Sequence, residues 1–226
     1  MRLSPDDLVL WQWGPVTVNA TLAFTWLVMA LLVLASRAVT RRLSGGLELR
    51  PGQNLLEVVV QWLYGEIEEV APGEGDRLLP WVGTLFVFIA VSNLLAPVPF
   101  YLPPTGSLST TAALALCVFF AVPVYGISRQ GLRAYLKQYV KPSPIMLPFQ
   151  VIGEISRTLA LAVRLFGNVM SGTLVAAILL ALTPVFFPVI LQVLGLLTGL
   201  VQAYVFALLT LIYLASASRV LGGGPS

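Results

Sequence analysis

Five apolar runs dominate the sequence, and each is long enough to cross a lipid bilayer as a helix. About 20 apolar residues span a hydrocarbon core at a rise of ~1.5 Å per residue. The runs cover residues 18–36, 79–97, 108–127, 146–183 and 185–217. A backbone surrounded by lipid must satisfy its own hydrogen bonds, which makes helices the expectation. A transmembrane β-barrel would show alternating segments of about ten residues, and these runs do not alternate. The expected fold is therefore an all-α membrane protein, a single membrane domain over residues 1–226 with five transmembrane helices.

Composition narrows the function. The chain is 58% hydrophobic and 10% charged, whereas a soluble domain carries about 25% charged residues. An ordinary soluble enzyme and a disordered tail are excluded. The net charge is only +3, with the basic residues scattered over short loops, so no nucleic-acid partner is expected. The chain holds no His and one Cys. That excludes a His-based triad, a His- or Cys-ligated metal site and a disulfide framework. No metal and no cofactor are expected, and Cys117 is expected simply to pack.

Arg and Lys set the orientation. Ten of the 13 cations fall in segments that an odd number of crossings puts on one side: Arg37, Arg41, Arg42, Arg50, Arg77, Arg129, Arg133, Lys137, Lys141 and Arg219. The N-terminus is thus expected outside and the C-terminus in the cytoplasm. Arg2 is outweighed by Asp6 and Asp7, so the leader lacks the basic start of a secretory signal and 18–36 is expected to be a retained span. Residues 53–70 carry Glu57, Glu66, Glu68 and Glu69, with Leu55, Val59, Trp62 and Leu63 at helical spacing. This pattern predicts an amphipathic helix on the cytoplasmic face. It either covers the bundle or docks a partner subunit. Trp11, Trp13, Trp62 and Trp81 read as interfacial anchors.

The last two runs are too long for upright helices. Roughly 36 residues make about 54 Å of helix against a core of about 30 Å. A tilt of roughly 55° would bury that length. The alternative is a break at Gly167, Gly172, Gly195 or Gly199. A steeply tilted antiparallel hairpin, turning at residues 183–188, is the expectation.

The fourth run carries charge. Glu154 and Arg157 are three residues apart, Arg157 and Arg164 seven, with Asn168 and Ser171 continuing the line. These spacings draw one polar ribbon down an apolar helix. A mid-membrane Arg costs at least about 2.5–3.5 kcal/mol and is expected to face a protein interior or a water cavity. On the next helix Gln202 and Tyr213, eleven residues apart, nearly align. Across an antiparallel hairpin Arg164 and Gln202 are expected to meet.

These residues carry a resemblance. AVRLFGNVMSG followed by VQAYVFALLTLIYL, with SNLLAPVP and PTGSLSTTAALAL upstream, resembles the a subunit of F-type rotary ATP synthases, the membrane stator facing the c ring. The resemblance covers about residues 80–219 and hints at the N-type branch. It implies a non-catalytic subunit with no hydrolytic site, in a bacterial inner membrane. The implied partners are the c ring, the b subunit of the peripheral stalk and the soluble ATPase head. The implied role is passage of H+, or alternatively Na+, through two half-channels to and from ring carboxylates. Arg164 matches the essential stator arginine, and Gln202 the glutamine near it. Asn168 matches the motif asparagine, Arg157 the earlier basic position, Glu154 an acid of that helix and Asn93 a polar residue of the second span. Ser171, Thr173 and Tyr213 complete the expected ion path. Two positions depart: Thr173 and Gly195 stand where many members carry an acid or His. The rival reading is a stand-alone ion transporter or channel.

Overall fold

A computed structural model describes residues 9–13, 16–41, 51–98, 101–133, 146–182 and 187–219. The chain is all-α apart from a small N-terminal hairpin. In it β1 (Val9–Trp13) pairs antiparallel with β2 (Val16–Asn19), and the register aligns Trp11 with Val18 and Trp13 with Val16. The β-branched run Val16-Thr17-Val18 favours extended backbone. The first helix, α1 (Ala20–Thr40), therefore starts two residues later than residue 18 and runs four beyond residue 36.

The other helices are α2 (Pro51–Val70), α3 (Gly75–Leu94), α4 (Leu108–Gln130), α5 (Met146–Leu182) and α6 (Phe187–Arg219). Five of them, all but α2, are long and apolar enough to cross a membrane. α3 stops at Leu94, ahead of Pro97, as a helix does before a proline. α5 and α6 run unbroken for 37 and 33 residues, so their glycines do not divide them.

The core lies between α3 and α6, which are antiparallel. Leu78, Val82, Leu85 and Ile89 form the inward stripe of α3, at steps of four, three and four. Ala203, Phe206, Ala207, Leu211 and Leu214 answer it from α6. Small residues on α6 let the backbones approach, the usual device where lipid removes the hydrophobic drive between helices. α4 adds Ala115, Val118 and Val122, and α5 adds Leu161, Ala162 and Leu165. By contrast α1 buries only Ala20, Thr21 and Val28. Cys117 lies on the exposed side of α4 rather than in the core.

α2 begins beside the end of α1, where a Cβ on Gly52 would sit 3.9 Å from a Val39 methyl. It ends at the start of α3. Both its ends are on one side of the bundle, so it lies along that face. Its inward stripe is Gln53, Leu63, Ile67 and, just past its end, Ala71. It shares Leu63 with the expected stripe, with Val59 half-buried one turn before it; Trp62 is 42% exposed, and the Leu55 side chain lies outside the described residues. Trp62 instead lies against Phe86 and Tyr204, with ring centroids 5.6 and 5.5 Å away. The corner into α3 is closed by Glu68, whose carboxylate accepts from the backbone N–H of Gly73 and of Gly75. Gly73 takes a positive φ of 78° there, which a side chain would resist.

Candidate functional site

One hydrogen bond sets the register of the α5–α6 hairpin. The Asn168 amide donates to the Thr198 carbonyl at 3.3 Å. One turn back on α5 is Arg164, and one turn on along α6 is Gln202. The two therefore share a level of the hairpin, as expected, but they do not meet. Gln202 is 9% exposed and turned into the bundle, where its Nε2 has no hydrogen-bond partner among the described residues. Arg164 is exposed on the outward face. It makes no hydrogen bond or ion pair with another described residue.

The whole ribbon shares that direction. Arg157, Arg164 and Ser171 are exposed, with Glu154 and Asn168 half-buried beside them. Around the ribbon α5 presents bare apolar side chains, among them Leu159, Val163 and Val175. A mid-membrane Arg is expected to face a protein interior or a water cavity, and within this chain Arg164 points outward. Helical spacing tells which residues share a face, not which way that face points. Here α4 and α6 pack on the inner side of α5, against Leu161, Ala162 and Leu165.

Toward the α5–α6 connection, α3, α5 and α6 enclose a cavity of about 220 Å3. Its polar lining is Asn93, Asn168, Thr173, Gln192 and Thr198, and Gly172 and Gly195 open onto it. Asn93 is held as part of its wall. Its amide donates to the Gly199 carbonyl at 3.0 Å, and its Oδ1 accepts from Thr105 at 2.6 Å. Gly199 has to be glycine here, because a Cβ would stand 2.9 Å from the Cβ of Asn93. Thr173 donates to the Met170 carbonyl, and Ser171 to that of Asn168.

Toward the opposite end lies a second, smaller cluster. Glu154, Arg157, Thr158, Tyr213 and Ser216 line a space of about 20 Å3. The Arg157 guanidinium sits 5.5 Å from the centre of the Tyr213 ring, a cation–π contact. Arg164 thus lies between two polar spaces at different levels of one hairpin. Tyr204 points elsewhere, donating to Glu66 on α2 at 2.9 Å. Sequence reasoning missed Thr198, Gln192 and Thr105. Thr198 was findable, since it lies one turn from Gln202, but Thr105 reaches Asn93 only through the tertiary fold.

Comparison with known proteins agrees with the motif. The family model described as ATP synthase A chain matches residues 22–215. An ATP synthase subunit a 2 of Acaryochloris marina is 60% identical over 220 residues, covering 97% of this chain and 94% of that protein. A subunit a 2 of Picosynechococcus is 58% identical, with 97% and 94% covered. An ATP synthase subunit a of Albidiferax ferrireducens is 56% identical over 219 residues, with 97% and 95% covered. With a matched run that takes in all five apolar helices, the chain belongs to the ATP synthase A chain family.

Proposed function

We propose that this chain is the stator that passes ions to and from a ring of carboxylate-bearing c subunits, with Arg164 as the residue that separates entry from exit. The observation that carries this is the outward, unpartnered Arg164 on an apolar helix face. Against lipid that charge would cost at least about 2.5–3.5 kcal/mol. Against a membrane-embedded carboxylate the same charge is satisfied. A lone transporter would have to turn Arg164 inward.

The larger cavity is the access path from the outer side, and the Glu154–Arg157–Tyr213 cluster is the path from the cytoplasmic side. Gln202, Asn168, Ser171, Thr173 and Asn93 line the way. This orientation puts the N-terminus outside and the C-terminus in the cytoplasm. The peripheral stalk with its b subunit and the soluble head complete the assembly. No site for ATP hydrolysis belongs to this chain.

The chemistry asks for a permanent cation between the paths. A guanidinium stays protonated, whereas a buried Lys neutralises readily. A ring carboxylate about 4 Å from Arg164 gains about 4 kcal/mol at an effective dielectric of 20. That is worth about three pKa units, enough for the carboxylate to release its ion on arrival. The same charge repels a cation crossing directly between the paths.

The test is ATP-driven ion pumping by the reconstituted whole complex. Arg164→Ala should assemble and lose pumping, and Arg164→Lys should be severely impaired. Acidification that persists without Na+ would fix H+ as the coupling ion. Pumping retained in Arg164→Ala would end this reading.

A further inference from the structure

Among the described residues, the larger cavity is lined by no group that titrates near neutral pH. Its walls come from two stretches of chain, 78–128 and 165–218, and neither contains a single Asp, Glu, His, Lys or Arg. Its polar lining is two asparagines, a glutamine and two threonines. The phenol of the adjoining loop, Tyr101, is pushed up to about 12 by burial, against a smaller pull from the Ser92 hydroxyl. It stays neutral. The carboxylate of the hairpin, Glu154, belongs to the other, smaller space. The two spaces differ in room as well as in charge. The 220 Å3 on one side holds about seven waters at ~30 Å3 each, and the 20 Å3 on the other about one.

Resting on the stator reading above, we propose that the larger cavity is a neutral hydrated vestibule: it passes a small monovalent cation by water and by fixed amide and hydroxyl oxygens, with no side chain that takes up and releases a proton. Neutral oxygens serve hydronium and an alkali ion alike, because both are solvated by the same lone pairs. Protonation of this chain then leaves ion transfer on that face unchanged.

Gly195 supplies the test. It lines the cavity, and an added Cβ would meet nothing within 4 Å, so a side chain can start there without a clash. The reconstituted whole complex is compared as wild type, Gly195→His, Gly195→Phe and Thr173→Val. The pH of the outer face is varied from 5.5 to 8.5 while the other face is held constant, with and without Na+ to tell hydronium from the alkali ion. Gly195→His installs a group with an ordinary pKa near 6.5. Its pumping relative to wild type should fall roughly tenfold from alkaline to acid outer pH, as the imidazolium repels the ion. Gly195→Phe and Thr173→Val should change the rate by one constant factor at every pH. A factor that varies with pH in either of those two would reveal a titrating group in the cavity and overturn the inference. So would Gly195→His behaving as wild type throughout, because the cavity would then lie off the ion path. Should Gly195→His not assemble, Gln192→His probes the same wall. Arg164→Ala is measured alongside: if it pumps, the stator reading itself fails, and if it does not, a failed histidine series removes only the vestibule.

Discussion

Asn93 and Gly199 show how one pair of residues places a cavity. Asn93 bonds the backbone of α6 and the Thr105 hydroxyl at once. The first of these bonds needs the close approach that Gly199 permits. Gly199→Ala would force the helices apart, and overpacking of this kind costs about 1–3 kcal/mol. A lower midpoint for thermal dissociation of the complex is expected, together with impaired pumping. A midpoint equal to wild type would mean that α3 and α6 yield there without strain. Tyr101 gives a pH signature at the same scale. Its phenol is raised from the ordinary 10 to about 12 by burial. Its contribution to stability is whole below pH 10 and is lost as pH rises toward 12. Tyr101→Phe should flatten the alkaline loss of stability in that window, as read by melting at stepped pH. The polar ribbon of α5 was legible in the sequence because its spacing is local. Its outward direction was not, because neighbours contributed by α4 and α6 decide it.

α2 is the element whose role the sequence left open, and its packing bears on the choice. Trp62 lies between Phe86 of α3 and Tyr204 of α6, and Glu66 accepts the Tyr204 hydroxyl. One side of the helix therefore braces α6 two residues from Gln202. Leu56, Val58 and Val60 remain exposed on the rest of it. A hydrogen bond to a charged group contributes about 1.5–3 kcal/mol. Tyr204→Phe should release the brace, and amide exchange along α2 in the whole complex should quicken by about tenfold or more. Unchanged exchange would leave the Trp62 stack as the sufficient tie. Periodicity foresaw that α2 is amphipathic. The stripe it foresaw holds at Leu63, whereas Trp62 stays partly exposed, its ring set against Phe86 and Tyr204, partners far along the chain. The β1–β2 hairpin escaped notice for a related reason: Val16-Thr17-Val18 is as apolar as the helix it precedes, and apolarity alone does not distinguish strand from helix.

At the scale of the whole molecule, length and polarity combine. The apolar parts of α5 and α6 are 32 and 29 residues long, about 48 and 44 Å of helix. A core of about 30 Å buries them at a tilt of roughly 50°. The level of Asn168 lies fourteen residues from that of Glu154, about 21 Å along the axis. At that tilt the two levels are displaced sideways by roughly 16 Å. The vestibule and the cytoplasmic cluster then do not stand one above the other. On the stator reading proposed above, an ion leaving one reaches the other by being carried sideways, past Arg164, on something that moves. This makes a direct prediction about which face of α5 that moving partner touches. Leu159 and Val163 are exposed, whereas Leu161 and Leu165 are 2% and 0% exposed. In a complex whose Cys117 is replaced by Ser, a cysteine at 159 or 163 should form a disulfide with one placed on the outer helix of the ring. A cysteine at 161 or 165 should not. Cross-linking from the buried pair, or none from the exposed pair, would place the ring against another surface and leave the charge of Arg164 without its partner.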